Sequence, residues 1–75
     1  MYLNNITNNE YYTVDEINLP EKTKRRLYDI GLVKGTKIKL LFSSPSKKIK
    51  AYLIRDSIIA IRNSDASNIE VNNHD

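Results

Sequence analysis

The sequence contains no cysteine and no tryptophan, and its 75 residues include only two glycines, two prolines and one histidine. Without cysteine, the chain can form neither a disulfide framework nor a thiolate metal site. A chain of this length makes one domain with a small core, which is marginally stable unless something supports it. The sequence therefore predicts at most one domain, with no covalent cross-link to support it.

Long apolar runs are also missing. No segment approaches the roughly 20 consecutive apolar residues that a membrane-spanning helix needs. The first residues, MYLNNITNNEYY, lack the basic segment followed by an apolar segment that marks a secretory signal peptide. We therefore expect a soluble chain that resides in the cytoplasm.

Residues suited to catalysis or metal binding are few and scattered. The single histidine, His74, lies next to the C-terminal end, a position more typical of a tail than of a general base. The sequence has no Cys–His pair, no HExxH motif and no pair of acidic residues on one helix face. We therefore predict a protein that is not an enzyme, with no catalytic residue, metal site, cofactor or small-molecule substrate.

Positive charge is concentrated in the middle of the chain, although the net charge is only +3. Residues 20–50 carry ten lysines and arginines against Glu21 and Asp29, a net charge of +8, and the rest of the chain carries −5. Such a basic segment favours an anionic partner: nucleic acid, phospholipid headgroups or an acidic protein surface. Solvated lysines on the outward faces of strands would give the same pattern, so charge alone leaves both interpretations open.

Both glycines fall within one short stretch, RRLYDIGLVKGTKIKLL, at residues 25–41. Pro20 suits the first turn of a helix, where its missing N–H costs nothing. Leu27 and Ile30 stand three residues apart, and Thr23 lies four residues before Leu27. This spacing predicts a short helix with one narrow buried stripe.

The two glycines are predicted to take the chain from that helix into a strand. Gly31 is expected to end the helix in the left-handed conformation, with Leu32 packing back on the last turn. Gly35 is expected to supply the positive φ of a tight turn. In the strand TKIKLLF that follows, the residues predicted to share one face are Ile38, Leu40 and Phe42.

Four further segments have the pattern of strands: residues 11–17, 49–54, 57–62 and 69–71. Arg55-Asp56 predicts a tight turn that joins two of them into a hairpin, and residues 63–67 predict a connection of about one helical turn. Because both faces of 57–62 are apolar, this strand is expected to lie centrally.

Five short strands with one short α-helix after the first predict a mainly β fold, a small and partly open SH3-like barrel. The domain is expected to span residues 10–72. Residues 1–9 are expected to be a flexible lead-in, and residues 73–75 a C-terminal tail.

Residues 25–41, the proline that follows at Pro45 and the closing segment IIAIRNSDASNIEV together resemble the FeoA family. The family pattern is roughly Arg-x-Leu-x-x-x-Gly-Leu-x-x-Gly, then alternating apolar positions and a close of the form Ala-x-Arg-x-x-x-Ala-x-x-Ile-x-Val. The matching positions are Arg25, Leu27, Gly31, Leu32, Gly35, Ile38, Leu40, Ala60, Arg62, Ala66, Ile69 and Val71. The family often has a glycine where this chain has Asp56, so we expect a hairpin of different shape.

The resemblance implies a free-standing cytoplasmic accessory protein of ferrous iron transport. It would dock on the cytoplasmic part of a FeoB-like ferrous iron transporter, a membrane GTPase. The residues expected to make that contact are Lys22, Lys24, Arg25, Arg26, Leu32 and Val33. The residues expected to carry the structural motif are Leu27, Gly31, Gly35, Ala60, Arg62 and Ala66. For Leu32, a helix-capping contact is the alternative to a place on the docking surface.

Two other functions remain open beside docking on the transporter. The basic segment suits RNA, for which Tyr28, Phe42 and Tyr52 are candidates to stack on bases. One apolar face of residues 57–62 would also suit self-association with a second copy. In the leading interpretation the partner is the transporter and not nucleic acid.

Overall fold

The computed structural model describes residues 1–73, so His74 and most of the expected tail lie outside the described residues. The elements in chain order are a 3-10 turn (Leu3–Asn5), β1 (Tyr11–Ile17), α1 (Glu21–Asp29), β2 (Lys37–Ser43), β3 (Ile49–Ile54), β4 (Ser57–Arg62), α2 (Asn63–Ala66) and β5 (Ile69–Asn72). The strands form one antiparallel sheet in the order β4–β3–β2–β1–β5. The fold is therefore mainly β with one helix after the first strand, as predicted. The sheet is not closed, because β4 and β5 are edge strands.

The core lies against one face of this sheet. Alternate strand residues fill it, and the largest buried ones are Val14, Ile38, Tyr52, Ile54, Ile69 and Val71. Leu32 enters the core from the segment after α1 and Ala66 enters it from α2, while Leu27 packs against it half-buried. No helix within residues 1–73 has the length and apolar character needed to cross a membrane.

The predicted hairpin between β3 and β4 is confirmed. Ile54 pairs with Ser57, and the two residues between them, Arg55 and Asp56, have φ values of 48° and 65°. Two successive left-handed residues are the mark of a type I′ turn, whose twist matches that of a two-residue hairpin.

β4 is an edge strand, so the prediction that residues 57–62 lie centrally is wrong. Ile61 is buried and Ile59 packs half-buried against the core. On the other face Ala60 is exposed, and Ile58 is 63 % exposed. The second apolar face of this strand is thus an uncovered surface and not a second packed layer.

Phe42 does not share the inner face with Ile38 and Leu40, contrary to the predicted alternation. The pairing of β2 with β3 shifts between Leu40 and Phe42, where a β-bulge adds one residue to β2. One extra residue reverses the alternation of side chains. Phe42 therefore lies opposite Ala51 on the outer face, where it is 63 % exposed.

The N-terminal segment, expected to be a flexible lead-in, contributes to the core. Leu3 and Ile6 are both fully buried. Because Leu3 and Ile6 stand three residues apart around a 3-10 turn, their side chains point the same way, here towards the core. The segment also covers β5, since the Val71 N–H donates to the Met1 carbonyl at 2.8 Å.

Candidate partner-binding surface

The basic surface predicted on the helix is formed by α1. Lys22, Arg25 and Arg26 are exposed, and Lys24 is half-buried. Among the residues that the structure describes, none of these four side chains takes part in an ion pair. α1 therefore presents cations that are available to the carboxylates or phosphates of a partner.

A Schellman motif ends α1 and fixes the path of the chain after it. The Gly31 N–H donates to the Tyr28 carbonyl at 3.0 Å, and the Leu32 N–H donates to the Leu27 carbonyl at 2.8 Å. Gly31 has a φ of +92°, and a Cβ at this position would lie 3.1 Å from the Arg55 Cδ. The prediction that Gly31 ends the helix is confirmed, and both backbone conformation and packing favour glycine there.

A type II turn at residues 33–36 leads from α1 into β2. The Thr36 N–H donates to the Val33 carbonyl at 3.0 Å, and Gly35, the third residue of the turn, has the predicted positive φ. The buried Thr36 hydroxyl accepts from the Val33 N–H at 3.1 Å and donates to the Gly31 carbonyl at 2.9 Å. These two hydrogen bonds of the Thr36 hydroxyl were not predicted from the sequence. Their only signal was a hydroxyl residue directly after Gly35.

Leu32 is not part of an exposed surface. Its side chain is fully buried in the core, so the helix-capping alternative describes its position. Val33 is half-buried. The exposed apolar side chains next to the cations are instead Tyr28 and Ile30, at 44 % and 45 % exposed. Ile30 was expected in the buried stripe, but it is the residue that ends α1 and it leaves the helical path.

These observations redefine the candidate contact region, which we call the α1 surface. Its members are Lys22, Lys24, Arg25, Arg26, Tyr28 and Ile30. Four cations and two exposed apolar side chains suit a protein contact, in which charge orients the partners and apolar burial supplies affinity.

The predicted motif residues at the end of the chain have different roles. Ala66 is fully buried in the core. Ala60 is exposed on β4, and Arg62 at the end of that strand forms an ion pair with Asp65 at 3.7 Å.

Lys34 lines one hollow with Lys24 and Tyr28, whereas two other lysines of the basic segment make contacts elsewhere. Lys39, on the outer face of the sheet, lies over the Tyr11 ring at 5.2 Å from its centroid. Lys50 donates to the Asn4 carbonyl at 2.9 Å. Tyr52 is fully buried, so it is not available to stack on a base.

Acidic side chains within residues 1–73 do not gather into a metal site, since no three potential ligands cluster there. A family model described as the FeoA domain matches residues 1–73. The chain belongs to the FeoA family. The match includes the N-terminal segment, whose Leu3 and Ile6 are part of the FeoA core described above. No curated protein gives a significant match.

Solved structures of FeoA proteins share this fold. The FeoA protein of Chlorobium tepidum is 26 % identical, with a TM-score of 0.91 over 96 % of this chain and 69 % of its own. The FeoA-like protein of Clostridium acetobutylicum is 28 % identical, with a TM-score of 0.82 over 95 % of this chain and 83 % of its own.

The description of a third FeoA structure names its fold class. The zinc complex of FeoA from Stenotrophomonas maltophilia is 22 % identical, with a TM-score of 0.79 over 96 % of this chain and 89 % of its own. That protein is described as a procaryotic SH3 domain protein and as a candidate activating factor of ferrous iron transport. The predicted SH3-like class is confirmed by this likeness.

Proposed function

We propose that this FeoA protein is a non-catalytic accessory of bacterial ferrous iron uptake. It acts by contact with the cytoplasmic part of a FeoB-like membrane transporter. The observation that carries the proposal is the FeoA family match over residues 1–73. The description of the Stenotrophomonas maltophilia relative as a candidate activating factor of ferrous iron transport supports the same process.

The α1 surface supports contact with a protein as the mode of action. Its cations form no ion pair within the described part of the chain, so a partner's carboxylates would meet them without first displacing an internal one. Tyr28, which lines one hollow with Lys24, and Ile30 add exposed apolar area at the end of the same helix. Charge of this kind chiefly sets the association rate and the orientation, and the apolar side chains supply affinity.

The test is a calorimetric titration of the full chain with the purified FeoB-like transporter of the same organism. Arg25→Glu/Arg26→Glu reverses two charges on the α1 surface, and Lys47→Glu/Lys48→Glu makes the same charge change in the loop between β2 and β3. All four side chains are exposed, so both variants should fold. We expect about tenfold weaker binding for the α1 variant and about twofold or less for the loop variant.

A mixed-sequence RNA oligomer at matched salt is the comparison ligand. Saturable binding of the transporter together with no binding of RNA supports the accessory role. Binding of RNA without binding of the transporter contradicts it. Equal weakening by both charge reversals would mean that net charge, and not the α1 surface, attracts the partner.

A further inference from the structure

The two edges of the sheet are protected differently. At β5, Tyr2 pairs with Glu70 and the Val71 N–H reaches the Met1 carbonyl, so the N-terminal segment covers that edge. No strand within residues 1–73 pairs with the outer edge of β4. In exposed edge strands, proline, inward-pointing charges or bulges usually prevent pairing with another chain. β4 has the sequence SIIAIR, which contains no proline, and it pairs with β3 without the register shift that a bulge would cause.

The hydrogen-bonding groups on the open side of β4 can be assigned from its register. The Asn63 N–H donates to the Lys48 carbonyl at 2.8 Å, just beyond the pair of Arg62 with Ile49. In an antiparallel ladder, hydrogen-bonded and non-hydrogen-bonded pairs alternate. Residues 57, 59 and 61 therefore bond to β3. The N–H and C=O groups of Ile58 and Ala60 and the N–H of Arg62 point away from it, while the Arg62 carbonyl belongs to the first turn of α2.

α1 lies beside this edge and leaves a groove between helix and strand. A cavity of about 510 Å³ near the end of α1 is lined in part by Tyr28, Ile30 and Ile59. A second cavity of about 190 Å³, farther along the groove, is lined in part by Leu27 and Ile61. A chain paired with β4 would direct every other side chain towards these cavities, because side chains alternate along a strand.

Three arginines line the groove and give it positive charge. Arg26 lines it from the helix, Arg55 from the hairpin turn and Arg62 from the far end of β4. The ion pair between Arg62 and Asp65 offsets both of those charges. Arg26 and Arg55 therefore remain against Asp29, and the groove keeps a positive excess. The groove therefore favours an occupant with acidic as well as apolar side chains. A second copy fits it poorly, because pairing two β4 strands would bring two sets of these arginines together.

We propose that the groove between α1 and β4 binds an extended, acidic segment of a partner protein, which adds to β4 as a further strand. Main-chain hydrogen bonds to Ile58, to Ala60 and to the Arg62 N–H supply affinity, and alternate apolar side chains enter the two cavities. The inference rests on the proposed function only in that the transporter is the protein expected to supply the segment.

The first experiment uses a capped peptide of about eight residues in which glutamate alternates with isoleucine, with lysine replacing glutamate in the control peptide. Binding is followed by NMR on the full chain. We expect saturable shifts, and slowed hydrogen exchange at the N–H groups of Ile58, Ala60 and Arg62. The lysine peptide should bind much more weakly. Equal binding of both peptides, or shifts confined to residues outside the groove, would overturn the proposal.

Ala60 allows a variant that removes one groove-facing donor without disturbing the β3 pairing. Ala60→Pro deletes an N–H that points away from β3, a position where an edge strand tolerates proline. Ala60→Thr is the matched control, since it keeps the N–H and suits a strand. We expect Ala60→Pro to bind the glutamate peptide about fivefold or more weakly, the worth of one hydrogen bond. Unchanged binding would contradict strand addition.

A modified peptide gives the same test without altering the protein. N-methylation at alternate residues of the glutamate peptide removes the donors that would face β4, and binding should be lost. Retained binding would overturn the proposal even if Ala60→Pro failed to fold.

Titration of the transporter with wild-type chain and with Ala60→Pro separates this proposal from the proposed function. If the transporter binds both equally, the groove is not its site and the accessory role stands. If the peptide binds but the transporter does not, the groove stands and the accessory role fails. Sedimentation that shows a dimer of the wild-type chain and a monomer of Ala60→Pro would identify a second copy as the occupant, which would also overturn the proposal.

Discussion

Tyr52 places a polar hydroxyl inside the apolar core. It is the largest of the fully buried side chains, and within residues 1–73 its hydroxyl has no hydrogen-bond partner. Burial disfavours the phenolate and raises the pKa of Tyr52 to about 12. A buried, unsatisfied hydroxyl of this kind costs about 1–3 kcal/mol, so the residue retains its ring packing at the expense of some stability.

Tyr52→Phe should therefore stabilise the domain, by about 1 kcal/mol at neutral pH, because it removes the hydroxyl and keeps the ring. The difference should grow between about pH 10 and pH 12. In that window the unfolded chain loses the Tyr52 proton while the folded chain retains it, so wild-type stability falls as pH rises. Urea unfolding of both proteins across this pH range measures the effect. A constant difference between them would contradict the assigned burial.

At the scale of elements, the junction between α1 and β2 shows what local sequence determines. The left-handed end of the helix and the tight turn were predictable, because positive φ at Gly31 and Gly35 is an intrinsic preference of glycine. The packing partner of Gly31 was not predictable. Arg55 lies 24 positions away on the sequence and reaches it only once the β3–β4 hairpin has formed.

Alanine substitutions separate the two parts of that requirement. Gly31→Ala and Gly35→Ala should each cost about 1–2 kcal/mol for a left-handed alanine. Gly31→Ala should cost more of the two, since its Cβ would lie 3.1 Å from Arg55 Cδ and nothing lies within 4 Å of a Cβ at Gly35. Denaturant unfolding in an Arg55→Ala background should recover the extra cost at Gly31 and leave Gly35→Ala unchanged. Recovery at both glycines would refute this division.

The strands show which features of the sheet cannot be predicted from the local sequence pattern. The alternation that defines β2, β3 and β4 is a property of the strands themselves, and their bounds were predicted to within about two residues. The bulge at Leu41 and the edge position of β4 depend on which strand pairs with which, and this is set by the whole sheet. The same holds for the α1 surface. Its cations were predictable, but the exposure of Ile30 and the burial of Leu32 follow from how the helix ends.

For the whole molecule, the N-terminal segment is a structural part of the domain. Leu3 and Ile6 are fully buried, and the segment contacts β5 through Met1 and Tyr2. The Asn-rich composition of residues 1–9 concealed this, since two apolar side chains suffice to anchor a short turn. In a small domain two such side chains are a large share of the core.

Leu3→Ala should cost about 2–5 kcal/mol, because it opens a cavity in the core. Ile58→Ala, at a side chain that is 63 % exposed, is the control and should change stability by less than about 0.5 kcal/mol. Thermal unfolding measures both. Hydrogen exchange should also accelerate at the Val71 N–H in the Leu3 variant, because the segment that holds it is loosened. Equal melting temperatures for the two variants would show that the segment is dispensable.

The hydrogen bond between Val71 and Met1 has a consequence for how the chain is made. It joins the N-terminal segment to β5, and β5 is also one of the two neighbours of β1 in the sheet. On the ribosome, one edge of β1 would therefore stay unpaired until β5 had emerged. Contacts between such distant positions are formed late and slow the folding rate. The final fold should thus assemble only after β5 has been synthesised.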